Sequence, residues 1–531
     1  MSKASYYFMM LFVVALFSLT CFAVPVFTTY ENYIDIIDTT SFVNNDVYYR
    51  KESEPLTVKG YNGNDIIYNS YRDLFASSND GQKYLTIPKD DSGYYNLLVL
   101  PVSFTDSIKD NLENRRTNIH NAFFGTGDRN VSYSVSEFYN ISSYGNVKIK
   151  GYVAPYFELD YSSLEVLSMA NKASVSKYIT SLAVENCHEI GLDMSVFDGN
   201  NDEFLDGIFV IYDYPYSTNN DDLYWAYVDR ARTNYLANIK INGVNTSVYI
   251  NSLKPYFNFY GWASYDFMHK SAFSRVDSHV YTHEVGHLFG LEDYYSSSSI
   301  YQPLGCLDMM DFNIGDHNAF SKYLLSWTMP YVIKNEGEIT IKPFSTSGEC
   351  ILIPSSYYHD NPFGEYLLLE FYAPKGVNGK DTSFEFKYTD RNNNVLSGKL
   401  YTDYGIKLYH VDARVGYFEK KNTDSKIAYI DEAGVNEKLE NAKKDNVKSW
   451  CNRIVADNND IGHPLIKLIE SNEKNLLKNG YSANNDSLFK EGDCFKIGNF
   501  DNYSFYNSEI NFGFEITSID SNQATIRFVK I

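Results

Sequence analysis

Two histidines stand four residues apart in HEVGHLFGLEDYY, residues 283–295, and a glutamate directly follows the first. Residues i and i+4 of a helix lie on one face, so His283 and His287 can present two imidazole nitrogens to one ion. Glu284 then points toward the water that completes the coordination, as a general base requires. With 10 histidines in 531 residues, this spacing is rare by chance and predicts a zinc site. A polar helix end with solvated histidines is the alternative.

A third protein ligand is needed, because a catalytic zinc ion usually takes three ligands from the protein. Gly290 can adopt the left-handed conformation that ends a helix, and the chain can then turn back toward the metal. This turn would bring Asp293, six residues after His287, under the ion. Glu292 and a distant acidic residue are the alternatives for this ligand, and an ordinary acidic loop is the interpretation without a metal.

A second candidate site is the acidic segment DGNNDEFLDG, residues 198–207. Oxygen atoms recur there at alternate positions, which is the pattern of a calcium loop. The candidate ligands are Asp198, Asn200, Asp202, the carbonyl of Phe204, and Asp206. The segment lacks the bidentate glutamate that ends a full EF-hand loop. We therefore expect a structural Ca²⁺ site, with an acidic turn before a strand as the alternative.

Three other polar residues have weaker patterns. His410 and Asp412 in YHVD would share one face of a strand, where a metal or acid/base pair is conceivable but a structural role is expected. His279 lies just before the zinc motif, and we expect it to be solvated.

The elements that must position these residues follow from hydrophobic periodicity. Residues 280–290 have apolar side chains at helical spacing and end in glycine, which predicts the helix of the zinc motif. Continuous apolar runs at 94–104 and 207–214 predict buried strands, and 145–157 alternates like an exposed strand. SVSEFYNIS begins a predicted helix, and SVSKYITSLAVENCHEIG predicts an amphipathic helix that ends at Gly191.

The pattern changes past residue 331 to short strands separated by turn residues. These predicted strands are GEITIKPF, CILIPSS, EYLLLEFY, YGIKLYHVD, FGFEITSID and QATIRFVKI. They predict an all-β, sandwich-like domain over residues 331–531, behind a catalytic domain over 93–330. The polar stretches 376–400 and 414–460 are expected to be long loops within it.

The amino-terminal 92 residues carry export signals. Residues 1–23 have a lysine near the start and a short apolar run, which predict a secretory signal peptide cleaved before Val24. Residues 24–92 are polar with little periodicity and are expected to be a leader or propeptide. Removal of the signal would leave a soluble, secreted protein without a membrane anchor.

Charge and cysteine content narrow the range of partners. The net charge of −21 argues against nucleic-acid binding, which requires clustered lysine and arginine. Five scattered cysteines remain after signal removal, so the chain is no disulfide scaffold, although one or two bridges are compatible with export. Sequons would be glycosylated in a eukaryotic secretory route, at Asn130, Asn140, Asn245, Asn485 and Asn502. The sequence does not indicate an oligomeric state.

HEVGHLFGLEDYY resembles the motif of the immune inhibitor A family of secreted metallopeptidases, in which an acid replaces the third histidine of the long metzincin pattern. Other segments are similar to blocks of that family in the same order: NLLVLPVSFTD, SVSEFYNISSYGNVKIKGYVAPYF, FDGNNDEFLDGIFVIY, LDMMDFN and AFSKYLLSW. GEYLLLEFYAPKG, YGIKLYHVDARV and HPLIKLIES resemble its β-rich region. The resemblance covers about residues 90–531, and the zinc motif is its most specific part.

The resemblance implies His283 and His287 as zinc ligands and Glu284 as general base and acid. It also implies that Met310 forms the methionine turn, a soft apolar floor beneath the metal, with Met309 as the competing choice.

One position departs from some metzincin families, which place a tyrosine two residues after this methionine. Phe312 stands there, so oxyanion stabilisation would have to come from zinc or another tyrosine.

We therefore expect an α+β chain with a zincin- or metzincin-like catalytic domain followed by an all-β domain. The expected function is that of a secreted zinc endopeptidase with one catalytic Zn²⁺, a structural Ca²⁺, and protein or peptide substrates. A catalytically silent protease fold that serves binding or adhesion is the alternative, although an intact Glu284 disfavours it. A metal-dependent hydrolase of other substrates is a third possibility.

Overall fold

A computed structural model of the chain describes most residues after position 24. The described ranges are 25–30, 32–59, 65–68, 86–169, 172–216, 223–269, 275–296, 301–389, 395–413, 416–421, 424–429, 447–451, 464–472, 474, 476–496 and 509–531. The chain is mixed α and β with more strand than helix, 30% against 23%, and has several sheets, which is compatible with the predicted α+β class. The predicted signal peptide and Asn502 lie outside the described residues.

The first sheet contains the strands that the zinc motif packs against. Its strands are β1 Thr28–Thr29, β6 Tyr95–Ser103, β7 Ile149–Val153, β8 Phe157–Glu158, β9 Ile208–Tyr212, β10 Tyr227–Arg230 and β13 Phe259–Ser264. Their order is β1-β7-β6-β9-β13-β10, and β8 pairs with β6. The four central strands are parallel, whereas β1 and β10 are antiparallel ends.

Helices cover this sheet and connect it to the rest of the chain. The α-helices are α1 Leu112–Phe124, α2 Val135–Ser142, α3 Ser163–Ser168, α4 Lys172–Glu189, α5 His279–Leu288, α6 Met309–Phe312, α7 Ala319–Leu324, α8 Phe344–Ser347 and α9 Val377–Asp381. Short 3-10 helices span Gly127–Arg129, Met194–Phe197, Tyr265–His269, Leu477–Asn479 and Asn485–Ser487. The predicted helices of the zinc motif, of SVSEFYNIS and of the segment before Gly191 are confirmed.

The central strand β6 is apolar on both faces. Leu97 and Val99 belong to a buried cluster with residues of α1, α2 and α5, whereas Leu98 and Leu100 belong to a second cluster with residues of α4. Successive side chains of a strand point to opposite faces, so a strand covered on both sides needs a continuous apolar run. The predicted buried strands over 94–104 and 207–214 are therefore confirmed. The alternating segment that contains β7 shows alternating burial.

Two further sheets consist mainly of strands from the carboxyl-terminal half of the chain. The larger has the order β2-β3-β14-β16-β17-β20-β24, and the smaller has the order β15-β27-β26-β25. Their bounds are β2 Val43–Asn44, β3 Tyr48–Arg50, β14 Tyr331–Ile333, β15 Gly337–Ile341, β16 Cys350–Pro354, β17 Glu365–Tyr372, β20 Gly405–Asp412, β24 Ile466–Ile469, β25 Cys494–Phe495, β26 Phe512–Ile519 and β27 Ala524–Lys530. Both sheets contribute to one apolar cluster, for example through Leu367 and Ile526. The six strands predicted past residue 331 are observed.

The larger of these sheets also packs against the part of the chain that carries the zinc motif. Leu368 of β17 and Tyr409 of β20 share a buried cluster with Val285 of α5, while Leu367 and its alternate neighbours face the smaller sheet. The predicted boundary near residue 330 therefore lies inside a continuous core.

The two polar stretches expected to be loops contain regular structure, which corrects that prediction. The first contains α9 and the hairpin of β18 Glu385–Thr389 with β19 Val395–Lys399. The second contains β21 Gly416–Lys421, β22 Asp424–Tyr429 and β23 Val447–Cys451, which form a three-stranded sheet. Two more hairpins join β4 Leu56–Lys59 to β5 Asp65–Tyr68 and β11 Tyr235–Ile241 to β12 Val244–Ile250. Strands rich in polar residues give only a weak hydrophobic pattern.

Strands within residues 25–59 extend two sheets, the first sheet and the larger of the two further sheets. β1 pairs with β7 at one end of the first sheet, and β3 pairs with β14 of the second. Between these strands, Thr39 Oγ1 donates to Trp327 O at 2.5 Å and Thr39 O accepts from Met329 N at 3.2 Å. Arg50 is buried and donates to Ser41 O and Thr39 O. We refer to residues 25–59 as the amino-terminal segment.

Two of the predicted glycosylation sequons have buried asparagines. Asn130 donates to Asn121 O at 2.9 Å, and Asn140 Oδ1 accepts from Ile34 N at 2.9 Å. A glycan on either side chain would be incompatible with this packing, which corrects the expectation for these two. Asn245 is exposed.

In the part of the chain that the structure describes, no helix combines the length and apolar character needed to cross a membrane.

Candidate metal centre

The helix α5 positions the zinc motif, and local hydrogen bonds determine where it begins and ends. Asp277 precedes the N-cap residue Ser278, and its Oδ1 accepts from the backbone N of His279, the first residue of α5, at 3.1 Å. At the other end, Gly290 has a φ of 95°. Gly290 N donates to His287 O at 2.8 Å and Leu291 N donates to Gly286 O at 3.0 Å, the two bonds of a Schellman motif. The predicted left-handed glycine is therefore confirmed.

The turn after Gly290 brings Asp293 to the two histidines. Asp293 Oδ1 lies 3.0 Å from His283 Nε2 and 3.2 Å from His287 Nε2. These three residues offer ligand atoms within 4.8 Å of one another, and they are the one such group among the described histidine, cysteine and acidic residues. Glu292, the alternative third ligand, is outside the group.

Backbone carbonyls orient both imidazoles. His283 Nδ1 lies 2.7 Å from Met309 O, and His287 Nδ1 lies 2.7 Å from Leu291 O. A carbonyl only accepts hydrogen bonds, so each Nδ1 must carry the proton. In the neutral tautomer this leaves the Nε2 lone pair directed at the Asp293 carboxylate, which is how metal-binding histidines are held.

The electrostatics of the group reflect two basic rings around one carboxylate. Burial lowers the pKa of His287, but Asp293, Glu284 and the Leu291 carbonyl together outweigh burial and raise that pKa to about 9. The histidines in turn lower the pKa of Asp293 despite the opposing effect of burial. A cation between the three atoms would replace the protons as the balancing charge.

Glu284 is buried beside the histidines and is 5% exposed. Its Oε2 has no hydrogen-bond partner among the described residues. Burial raises the pKa of Glu284, while the two histidines partly oppose that effect. A buried carboxylate oxygen without a partner requires an explanation, and a water or substrate group would supply one.

Met310 lies under the helix, where the sequence predicts a methionine turn. A Cβ atom on Gly286 would come within 2.5 Å of Met310 Sδ, so only glycine lets the helix approach this closely. Met310 is fully buried. Met309, the competing choice, contributes the carbonyl that orients His283. Both methionines therefore contact the motif, one by its side chain and one by its backbone.

His279 contradicts its prediction as a solvated residue. It is 3% exposed, and its two ring nitrogens face Asp277 and Asp381. Asp277 is two residues away and was a local signal, but Asp381 lies 102 residues further along the chain. Sequence reasoning also missed His317, which is buried and whose ring nitrogens have no hydrogen-bond partner among the described residues.

Hydrogen bonds join the polar side chains of the predicted calcium loop to other residues of the same loop. Asp198 accepts from the backbone N of Asp202 at 2.9 Å and of Glu203 at 3.0 Å, and Asp202 accepts from Phe204 N at 3.0 Å. Asn200 Nδ2 donates to Asp202 Oδ2 at 2.9 Å.

Asp206 is buried and bonds both to the loop and to β6. Its Oδ2 accepts from Asn96 at 2.6 Å and from Gly199 N at 3.0 Å, and burial raises the pKa of Asp206 to about 7. The acids of the loop form no three-membered group within ligand distance in the described chain, so calcium stays a prediction.

His410 lies on β20 and is buried, with its Nε2 2.8 Å from Glu365 Oε1. Burial lowers the pKa of His410. Asp412 is buried on the same strand. These contacts are compatible with the structural role that the sequence predicts.

The cysteines whose side chains are described carry free thiols, namely Cys187, Cys306, Cys350 and Cys494. The side chain of Cys451 lies outside the described part.

Comparison of the chain with protein-family models gives no match, and comparison with curated proteins gives no significant match.

Proposed function

We propose that the chain is a secreted, zinc-dependent endopeptidase whose catalytic part resembles the zincins and metzincins. The observation that carries the proposal is the convergence of His283 Nε2 and His287 Nε2 on Asp293, with both Nδ1 atoms held by carbonyls. The donor set suits zinc, which takes two imidazoles and one carboxylate in many hydrolases. The buried Oε2 of Glu284 lies beside the histidines and has no hydrogen-bond partner among the described residues, which supports the same interpretation.

His283, His287 and Asp293 would hold the ion, and Met310 would pack beneath the helix that carries the histidines. When bound, zinc would polarise the scissile carbonyl and acidify a water molecule. Glu284 would accept a proton from the attacking water and deliver it to the leaving amine.

The sheet also offers a place for an extended peptide. β10 is the last strand of the first sheet in the described chain, and it contacts both β13 and α5. A terminal strand can pair with an extended peptide through main-chain hydrogen bonds. A substrate bound along β10 would place a peptide bond beside the helix of the zinc motif, which favours proteins or peptides as substrates.

The export of the protein and its calcium loop belong to the same proposal. The signal peptide would direct the chain outside the cell, where free Ca²⁺ is available to the loop at 198–206.

A chelation experiment tests this function directly. The protein is incubated with casein or gelatin, with and without a zinc chelator, and its metal content is measured. We expect cleavage that the chelator abolishes and added Zn²⁺ restores, with one zinc ion per chain. Cleavage that resists complete removal of zinc would contradict the proposal. Zinc binding without cleavage would favour the binding or adhesion protein, and hydrolysis of non-peptide esters or amides alone would favour a different hydrolase.

A further inference from the structure

A buried ion cluster lies at the first residue of α5. His279 Nδ1 lies 2.6 Å from Asp277 Oδ1, and His279 Nε2 lies 3.2 Å from Asp381 Oδ2. The three side chains are at most 4% exposed, and the imidazole stacks on Phe384 with 4.5 Å between ring centroids. With a carboxylate at each nitrogen, both nitrogens donate and the ring is a cation. Burial lowers the pKa of His279, but Asp381 and Asp277 outweigh it and raise that pKa to about 10.

The imidazolium of His279 lies at the end of a helix where positive charge is unfavourable. The N-terminus of a helix carries partial positive charge, and His279 is the first residue of α5. Asp277 both accepts from the first backbone amide of the helix and faces the imidazole. Without Asp381, one carboxylate would have to balance the imidazolium as well as the helix end. Asp381 therefore contributes half of the balancing charge at the start of the zinc-motif helix.

Asp381 also contacts the chain on the other side of the motif. Its Oδ2 accepts from Gly315 N at 2.9 Å, and Gly315 has a φ of 76°. Gly315 lies in the turn that follows α6, and α6 contains Met310. Asp381 Oδ2 thus contacts both His279 at the start of α5 and Gly315 in the turn that follows Met310.

Neighbouring contacts come from the same half of the chain. Glu370 of β17 accepts from Ala319 N, the first residue of α7, at 2.9 Å, and forms an ion pair with Lys407 at 3.0 Å. Asn378 Oδ1 accepts from Asp316 N at 3.0 Å. The segment after the methionines is therefore held by residues outside 93–330, and Asp381 is the one among these acceptors that also contacts α5.

We propose that Asp381 is a positioning residue for the metal centre. Through His279 it holds the helix of the zinc motif, and through the Gly315 amide it holds the turn after Met310. Its bonds fix the position of α5 relative to the turn after α6. His283 and His287 on α5 therefore stay in place above Met310. The effect on zinc and catalysis rests on the proposed function, whereas the effect on the order of α5 does not.

The test compares Asp381→Asn with a matched control. Asparagine preserves the shape of the side chain and an oxygen for Gly315 N but removes the charge that faces His279. Asp360→Asn is the control, because Asp360 also forms an ion pair, 3.0 Å from Lys51 of the amino-terminal segment. Three properties are measured: amide hydrogen exchange in residues 279–288 of zinc-free protein, the Kd for zinc by chelator competition, and kcat and KM on a fluorogenic peptide.

In Asp381→Asn we expect faster exchange in α5 than in the control, and zinc binding weakened about 10–100-fold, as for other outer-shell substitutions. We expect kcat to fall while KM changes less than about 2-fold, since the three side chains are at most 4% exposed and a substrate could not reach them. His279→Gln should act in the same direction, and the double variant should lose little more than Asp381→Asn alone, because the two residues act through each other.

Unchanged exchange in α5 together with unchanged zinc affinity in Asp381→Asn would overturn the proposal. So would an even loss of protection over the whole chain with an unaltered zinc Kd, which describes a general stability effect. If Asp381→Asn does not fold, His279→Gln gives the same readouts. If the wild-type protein neither binds zinc nor cleaves peptides, the proposed function fails, and the exchange of α5 still decides the role of Asp381.

Discussion

Each imidazole of the zinc motif has one nitrogen bonded to a backbone carbonyl, Met309 O for His283 and Leu291 O for His287. The spacing of the histidines predicts that they share a face, but it does not reveal these acceptors. The Leu291 bond follows from the local turn at Gly290. The Met309 bond spans 26 residues and depends on how α6 packs. At the scale of single residues, the sequence therefore predicts the donor types, whereas packing determines their tautomers.

Glu284→Gln should retain the fold and the zinc ion and lose at least about 100-fold in kcat, because general base catalysis contributes typically 10²–10⁴-fold. Gln fills the same volume but cannot accept the proton of water. Activity is measured on a fluorogenic peptide after the zinc content has been matched. The control is Glu189→Gln, which changes an exposed glutamate at the end of α4. Full activity in Glu284→Gln would remove Glu284 from the mechanism.

Asp206→Asn should raise stability at pH 8 more than at pH 5 in calcium-free buffer. Burial raises the pKa of Asp206 to about 7, so the folded state binds this proton more tightly than the unfolded state. The stabilisation that the Asp206 proton gives to the folded state is complete below pH 4 and is lost as pH rises toward 7. Ionisation between pH 5 and 8 therefore costs about 2–3 kcal/mol, which the neutral amide avoids.

Thermal unfolding at both pH values measures this effect of Asp206, with the exposed Asp46→Asn as control. An equal shift in Tm at pH 5 and pH 8 would show that Asp206 does not titrate in this range. Added Ca²⁺ should stabilise wild type but not Asp206→Asn if Asp206 is a calcium ligand.

At the scale of elements, the close approach of α5 to α6 leaves no room for a side chain at Gly286. Gly286→Ala should destabilise the protein by about 1–3 kcal/mol, the usual effect of overpacking, since its Cβ would meet Met310 Sδ at 2.5 Å. The same substitution should cost less in a Met310→Ala background, where that sulfur is absent. The free energy of unfolding of the four proteins measures the coupling. Additive effects would show that the two residues are not in contact.

The elements themselves were largely predictable where their signals are local. The Gly290 helix end, the buried runs of β6 and β9 and the strands past residue 331 all follow from periodicity or turn chemistry. β18–β19 and β21–β23 were missed because they lie in long stretches rich in polar residues, and β18 alone alternates polar and apolar side chains over its whole length. The pairing of His279 with Asp381 could not be predicted, because it joins residues 102 apart without a local signal.

At the scale of the whole molecule, the amino-terminal segment is paired with two sheets of the fold. The sequence predicts that residues 24–92 are a propeptide, and removal of a propeptide near residue 90 would raise kcat/KM. The strands at Thr28–Thr29 and Tyr48–Arg50 instead extend two different sheets. These contacts favour a segment that stays with the folded protein after any cleavage between residues 69 and 85.

A protease site inserted between Asp80 and Gly81 tests this retention. After cutting, we expect both fragments to co-elute in native gel filtration and to separate in denaturant, with kcat/KM within about 2-fold of the uncut protein. The paired strands still hold the fragment, as does Arg50, whose guanidinium lies 4.5 Å from the ring centroid of Tyr331. Arg50→Ala should let the fragment dissociate, whereas Lys51→Ala, which changes a side chain 41% exposed, should not. Release of the fragment together with increased kcat/KM would instead establish a propeptide.

The same strands affect the order in which the protein can fold during synthesis. Thr39 bonds to Trp327 across 288 residues, and β3 pairs with β14, so these partners emerge from the ribosome long after the amino-terminal segment. Contacts between residues so distant in sequence form slowly, because the intervening chain must close a long loop first. The amino-terminal segment is thus made long before its partners and is among the last elements to dock. Until then, the sheet edges at β7 and β14 stay open to pairing with other chains, so folding yield should fall as protein concentration rises.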